Sequence, residues 1–187
     1  MKRILLVRHC DALGQHKDSP LTKKGLQQAY ELARLLERQS FSIDHIICSP
    51  YLRSVESIRP FANRMNISIK TDERLKERVL SEEPVDDWLE ILEESFQNYQ
   101  LKLPGGESSN DAFLRANELL DECMTNATNE NFLLVTHGNL LTLMLKKFHA
   151  DVGFQDWKNL SNPDVYVVQR IGGEYMVERL WEEPNQW

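Results

Sequence analysis

At 187 residues, with 41% hydrophobic and 27% charged residues, the chain has the size and composition of one domain with a sizeable core, which argues against a disordered segment. Twenty-two basic against 29 acidic residues give a formal charge of −7, so most of the surface would repel nucleic acid and anionic membrane. An anionic ligand would therefore need positive charge gathered locally. No apolar run approaches the roughly 20 residues of a membrane span, and the basic start leads into too few apolar residues for a secretory leader. Cys10, Cys48 and Cys123 are odd in number and widely spaced, which speaks against a disulfide framework or structural zinc and fits the cytoplasm.

The chain opens on Ile4-Leu5-Leu6-Val7, a buried-strand pattern that ends on the consecutive pair Arg8-His9. After a polar stretch at 11–20, Thr22 caps a helix with Leu26, Ala29, Ala33 and Leu36 on its apolar face. His45-Ile46-Ile47-Cys48 reads as a second buried strand. Ser49 and Pro50 then suit the N-cap and first position of a helix whose stripe is Leu52, Val55, Ile58, Ala62 and Met65. Arg53 falls in its first turn, where backbone N–H groups and the helix dipole favour an anion. A short strand at 67–70 leads into a charge cluster at 72–78. Residues 84–99 place Val85, Trp88, Leu89, Leu92 and Phe96 on one face of an amphipathic helix with an acidic opposite side. The turn Pro104-Gly105-Gly106-Glu107-Ser108 precedes a capping-box pair, Ser108 and Asp111, and a helix burying Ala112, Phe113, Ala116, Leu119, Leu120 and Cys123. The clearest strand is 131–136. It ends at His137-Gly138, before an apolar helix at 140–148. Strands at 165–169 and 175–180 close the chain around Gly172-Gly173. With no repeat or linker, residues 1–187 read as a single domain.

Three of these strands precede helices and end in Arg8-His9, in Arg53 one turn on, and in His137. Strands joined by crossover helices lie parallel in one sheet, and such sheets bind ligands at the carboxyl edge. Two arginines and two histidines would then meet there in an otherwise acidic protein. Arginine suits phosphate, because its planar fork donates two parallel hydrogen bonds and stays charged. Structural readings stand beside this one: Arg8 could pair with Asp11, Arg53 with Glu56, and His137 could be a satisfied core histidine.

At this point the sequence resembles the histidine phosphatase superfamily, also called phosphoglycerate-mutase-like, over almost its whole length. Arg8-His9-Cys10 resembles the family's Arg-His-Gly motif, and Asp18-Ser19-Pro20-Leu21-Thr22-Lys23-Lys24-Gly25 its D-S-P-L-T-x-x-G segment. Ser49-Pro50-Tyr51-Leu52-Arg53-Ser54 resembles the motif carrying the second phosphate arginine. Asp72-Glu73-Arg74-Leu75-Lys76-Glu77 resembles the segment ending in the acid/base glutamate, Pro104-Gly105-Gly106-Glu107-Ser108 the G-G-E-S turn, and Val135-Thr136-His137-Gly138 the second histidine.

The resemblance implies an α/β fold, a three-layer α/β/α sandwich around a mostly parallel sheet, with a specificity or cap segment at about 77–106. It implies a phosphomonoester hydrolase working through a phosphohistidine on a small phosphorylated metabolite, with no metal and no cofactor. His9 would be the nucleophile, its other nitrogen tied to a backbone carbonyl. Glu77 would be the acid/base, His137 a further catalytic group, and Arg8, Arg53 and His137 the phosphate binders. Alternatives are a phosphoglycerate mutase, whose family members are usually longer, and a catalytically weak phospholigand-binding homologue. Two departures stand out. Cys10 replaces the motif's glycine and would narrow the site or expose it to oxidation, and the loop at 12–17 lacks an asparagine that often helps hold phosphate. A cysteine-phosphatase loop does not fit, because the sixth residue after Cys10 is His16 rather than arginine. A metal hydrolase using His9, Asp11 and His137 lacks the usual ligand spacing.

Overall fold

In a computed structural model of the chain, residues 2–127 and 130–182 are described; the single-domain reading over 1–187 also takes in residues outside these. Six strands form one sheet: β1 (Arg3–Arg8), β2 (His45–Cys48), β3 (Ile69–Thr71), β4 (Phe132–Thr136), β5 (Asp164–Ile171) and β6 (Glu174–Arg179). Their order across the sheet is β3-β2-β4-β1-β5-β6. The pairings β2 with β3, β2 with β4 and β1 with β4 are parallel, while β5 and β6 are added antiparallel.

The side-chain alternation of the central strands divides the core in two. Leu5, Val7, Leu133 and Val135 face helices α1 (Lys23–Glu37) and α2 (Leu52–Met65), with Leu32, Ile58 and Phe61 packed against them. Ile4, Leu6, Phe132 and Leu134 face the opposite layer, built from α3 (Trp88–Gln97), α4 (Ser109–Thr125) and α5 (Gly138–Lys146). A strand covered on both faces must be apolar at successive positions, which is why β1 and β4 read as continuous runs. The three-layer α/β/α arrangement around a mostly parallel sheet follows.

The helix starts obey their caps. Thr22 accepts from Gly25 N–H at the head of α1, and Ser108 and Asp111 form a reciprocal capping box at α4. Several apolar faces differ from the sequence reading. Leu26 is half exposed, and α1 instead buries Gly25, Gln28, Ala29, Leu32, Ala33 and Leu36. Met65 is likewise exposed, because α2 turns Arg53, Ser54 and Ser57 inward and so rotates its stripe. α3 begins at Trp88, not Pro84, and leaves Trp88 and Leu89 exposed while Leu92 and Phe96 pack. A short helix α6 (Phe154–Lys158), unread in the sequence, stacks Phe154 on Trp157 at 5.4 Å.

Candidate active site

The parallel register brings three strand ends level. Arg8 pairs with Thr136 and Cys48 with Val135, so the residues that follow, His9, His137 and Ser49, emerge side by side. Backbone bonds continue the ladder beyond the strands: His9 N–H donates to Thr136 O at 3.0 Å, and Ser49 N–H to Val135 O at 2.9 Å. Ser49 does not cap α2. Tyr51 occupies that position without a side-chain bond, and Leu52 N–H is met by Lys17 O at 2.9 Å. The Ser49 hydroxyl lies instead 2.7 Å from His137 Nε2, with Ser54 Oγ at 3.4 Å.

Arg8, His9, Arg53 and His137 therefore meet at one edge. His9 Nδ1 donates to Cys10 O at 2.6 Å, and Arg53 Nε donates to His9 Nε2 at 3.2 Å. The two imidazoles meet edge to face at 5.1 Å, and Tyr51 meets His137 similarly at 5.0 Å. Tyr51 also lies beneath the Arg53 guanidinium, 4.9 Å from its ring centre. Arg53 is 1% exposed and Arg8 half-buried, and neither pairs with Asp11 or Glu56. Arg53 Nη1 donates to the carbonyls of Gln15 and His16, so the loop at 12–17 anchors this arginine through its backbone. Arg8 Nη1 donates to Leu160 O and Ser161 O, while its Nε is buried without a partner. Gly138 leaves room for this guanidinium: a Cβ there would stand 3.1 Å from its atoms.

Glu77 lies after a single 3₁₀ turn at Glu73–Leu75. Its carboxylate accepts from Asn139 and Leu140 N–H, both at 3.0 Å, and from Arg78 N–H at 2.9 Å. It is thus held at the start of α5, next to His137, and its charge supports those of Arg8 and Arg53 against their burial. The five residues singled out in the sequence for strand-end, phosphate or proton roles, Arg8, His9, Arg53, Glu77 and His137, lie in one neighbourhood, whereas Cys10, the departure from the motif glycine, is placed differently. Its side chain is fully buried in the core cluster under α1 and α2, and burial pushes its thiol up to about 12. It neither narrows the site nor offers a reactive thiolate.

Burial also decides the imidazoles' charge. Desolvation, then the neighbouring Arg53 and Arg8, bring His9 down to about 3 despite the bond to Cys10 O. Burial, His9 and Arg53 hold His137 well below 6.5. An unfolded histidine takes up a proton as pH falls through its ordinary value, whereas these two stay neutral in the fold. Stability is accordingly expected to fall as pH drops below 6.5, by about 1.4 kcal/mol per unit for each. Urea unfolding at pH 7.5 and 5.5 should differ by about 2–3 kcal/mol, and removing His9 should halve that difference. Equal stability at the two pH values would contradict neutral burial.

A family model for the histidine phosphatase superfamily, branch 1, matches residues 4–183. A probable phosphoglycerate mutase of Yersinia pestis, GpmB, is 32% identical over 162 residues, covering 78% of this chain and 74% of the relative. Bacillus stearothermophilus YhfR superposes with a TM-score of 0.76 at 25% identity, over 96% of each chain. A mycobacterial glucosyl-3-phosphoglycerate phosphatase shares the fold, with a TM-score of 0.72 at 19% identity over 95% of this chain and 97% of that one. With its motifs, its sheet and its strand-end arginines and histidines in agreement with that match, the chain belongs to branch 1 of the histidine phosphatase superfamily.

Proposed function

We propose that the chain hydrolyses small phosphomonoesters through a phosphohistidine on His9. The pairing of the His9 ring carries this reading. A carbonyl only accepts, so the bond from Nδ1 to Cys10 O leaves Nε2 with its lone pair, which faces the Arg53 guanidinium, and Arg8 adds positive charge nearby, both suited to an incoming phosphate. Nε2 attacks phosphorus as the ester P–O bond breaks, and the Glu77 carboxylate relays to the departing oxygen the proton that a monoanionic ester brings with it. Water then attacks the phosphohistidine, Glu77 takes a proton from it, and the P–N bond breaks to restore the lone pair. Arg8 and Arg53 balance the charge on the non-bridging oxygens, and neutral His137 offers a ring N–H to them.

The guanidiniums supply the positive charge, so the proposed chemistry uses no metal or cofactor. Among the described residues no group of three or more His, Cys, Asp or Glu stands together to hold an ion. A cytoplasmic metabolite is the proposed substrate class. In support, no described helix is long and apolar enough to cross a membrane, and all three cysteines are free and buried. The segment at 77–106, with exposed Trp88 and Leu89 on an acidic helix, is proposed to select the organic part of the ester.

The likeness to a probable phosphoglycerate mutase favours one second reading, isomerisation. The two separate on 3-phosphoglycerate, by following inorganic phosphate and 2-phosphoglycerate together. Hydrolysis predicts phosphate release outrunning isomerisation. Isomerisation at an equal or greater rate would reverse the order, and binding without turnover of any monoester would leave a ligand-binding protein.

A further inference from the structure

We propose that Gln28 is a positioning residue for the nucleophile, acting through the Cys10–Asp11 peptide to fix the tautomer and aim of the His9 ring. This rests on the reading of His9 as nucleophile. A trans peptide is a rigid plane whose C=O and N–H point opposite ways. Cys10 O, on one edge, receives the Nδ1 proton of His9; Asp11 N–H, on the other edge, donates to Gln28 Oε1 at 2.9 Å. Among the described residues that plane has no other hydrogen-bond partner, so Gln28 is what opposes its rotation. The adjacent planes are held elsewhere: Cys10 N–H by Ser57 Oγ at 2.8 Å, and Asp11 O by Thr22 N–H at 3.1 Å.

The other end of the Gln28 amide closes a ring. Gln28 Nε2 donates to Asn162 O, and Asn162 Nδ2 donates to His9 O at 2.8 Å. Gln28 is 8% exposed, and both ends of its amide are engaged, as a buried polar group requires. Gly25, one helical turn before it, permits this approach: a Cβ there would lie 2.0 Å from Asp11 O. α1 can thus press against the nucleophile's loop and present Gln28 to the plane behind it. Without that acceptor the plane can turn, Nδ1 loses its carbonyl, and the proton is free to move to Nε2, which ends nucleophilicity there.

Gln28→Met keeps the length and removes both bonds. It should lower kcat on p-nitrophenyl phosphate by about 10–100-fold, the usual effect of freeing a group that orients an imidazole, with inhibition by inorganic phosphate little changed. Nitrogen-15 spectra of histidine-labelled protein, with His9 assigned by difference against His9→Asn, should show the proton on Nδ1 in the wild type and a mixture in Gln28→Met. Gln28→Glu offers a second, independent reading. Its carboxyl accepts from Asp11 N–H in either protonation state, so the His9 proton should stay on Nδ1 and kcat should stay well above that of Gln28→Met. An unchanged tautomer in Gln28→Met, or the same tautomer mixture in Gln28→Glu as in Gln28→Met, overturns the proposal. Wild-type turnover by His9→Asn would instead overturn the nucleophile reading, which the tautomer spectra of Gln28→Met do not depend on.

Discussion

His9→Asn should lower kcat toward p-nitrophenyl phosphate by about 10⁶-fold, the scale on which an enzyme with a covalent intermediate loses its nucleophile. Asparagine is the informative replacement because its amide nitrogen overlays Nδ1. The donation to Cys10 O, 2.6 Å in the native site, survives, while the nitrogen facing Arg53 is removed. Arg8 and Arg53 remain, so inorganic phosphate should still inhibit, and the loss should fall on kcat rather than on binding. Acid quenching of the wild type during turnover should yield an acid-labile, alkali-stable phosphoryl group on the protein; His9→Asn should yield none. A variant that keeps a hundredth of the native rate would mean that water attacks phosphorus directly and that His9 only binds.

The effect of Glu77→Gln should depend on what leaves. With an alkyl phosphate, whose alkoxide needs a proton to depart, kcat should fall by about 10²–10⁴-fold. With p-nitrophenyl phosphate, whose leaving group is stable as an anion, phosphorylation of His9 should be nearly spared. The remaining loss there belongs to the second step, where water needs a base. The substitution also takes a negative charge away from the neighbourhood of Arg8 and Arg53, so inorganic phosphate should bind as tightly or tighter. Glutamine keeps the acceptor for Leu140 and Arg78 N–H but sets an amide against Asn139 N–H, a local cost that urea unfolding measures separately. Equal losses on both substrates would remove Glu77 from the proton-transfer role.

The sequence exposes those parts of the site that depend on where a strand stops. Arg8, His9 and His137 are legible because a buried strand reads as an apolar run and its carboxyl end is where such sheets bind ligands. Glu77 has no such marker; it follows a 3₁₀ turn in a charge-rich loop, and only the family resemblance singles it out. The supporting polar residues were hidden for another reason. Ser49 carries the composition of an N-cap, yet its hydroxyl serves His137. Gln28 lies on a helix face where an apolar stripe is the simpler reading. Helical spacing identifies which positions point inward, not whether the interior there is greasy or polar, so Arg53, Ser54 and Ser57 are buried while Leu26 and Met65 are not. Cys10 shows the converse. Its place in the motif suggests a thiol beside the proposed nucleophile, but past the end of β1 the side chain departs from the strand's alternation and enters the core with Leu5 and Val7.

The position of β1 has a consequence for synthesis on the ribosome. It precedes the other described strands in the chain, yet it lies between β4 and β5, and its arginine is held by Leu160 O and Ser161 O, 152 and 153 residues further along the chain. At about 5–20 residues per second, roughly 8–30 s separate translation of Arg8 from that of the carbonyls that hold it. For most of that interval the apolar β1 lacks β4, and throughout it lacks β5, and its pairings, when they come, close long loops, a slow class of folding event. A nascent chain stalled before residue 160 would carry every proposed catalytic side chain without the frame that aligns them. Competence for phosphoryl transfer is therefore expected only after β5 and β6 have been made and the antiparallel pairing with β1 has closed.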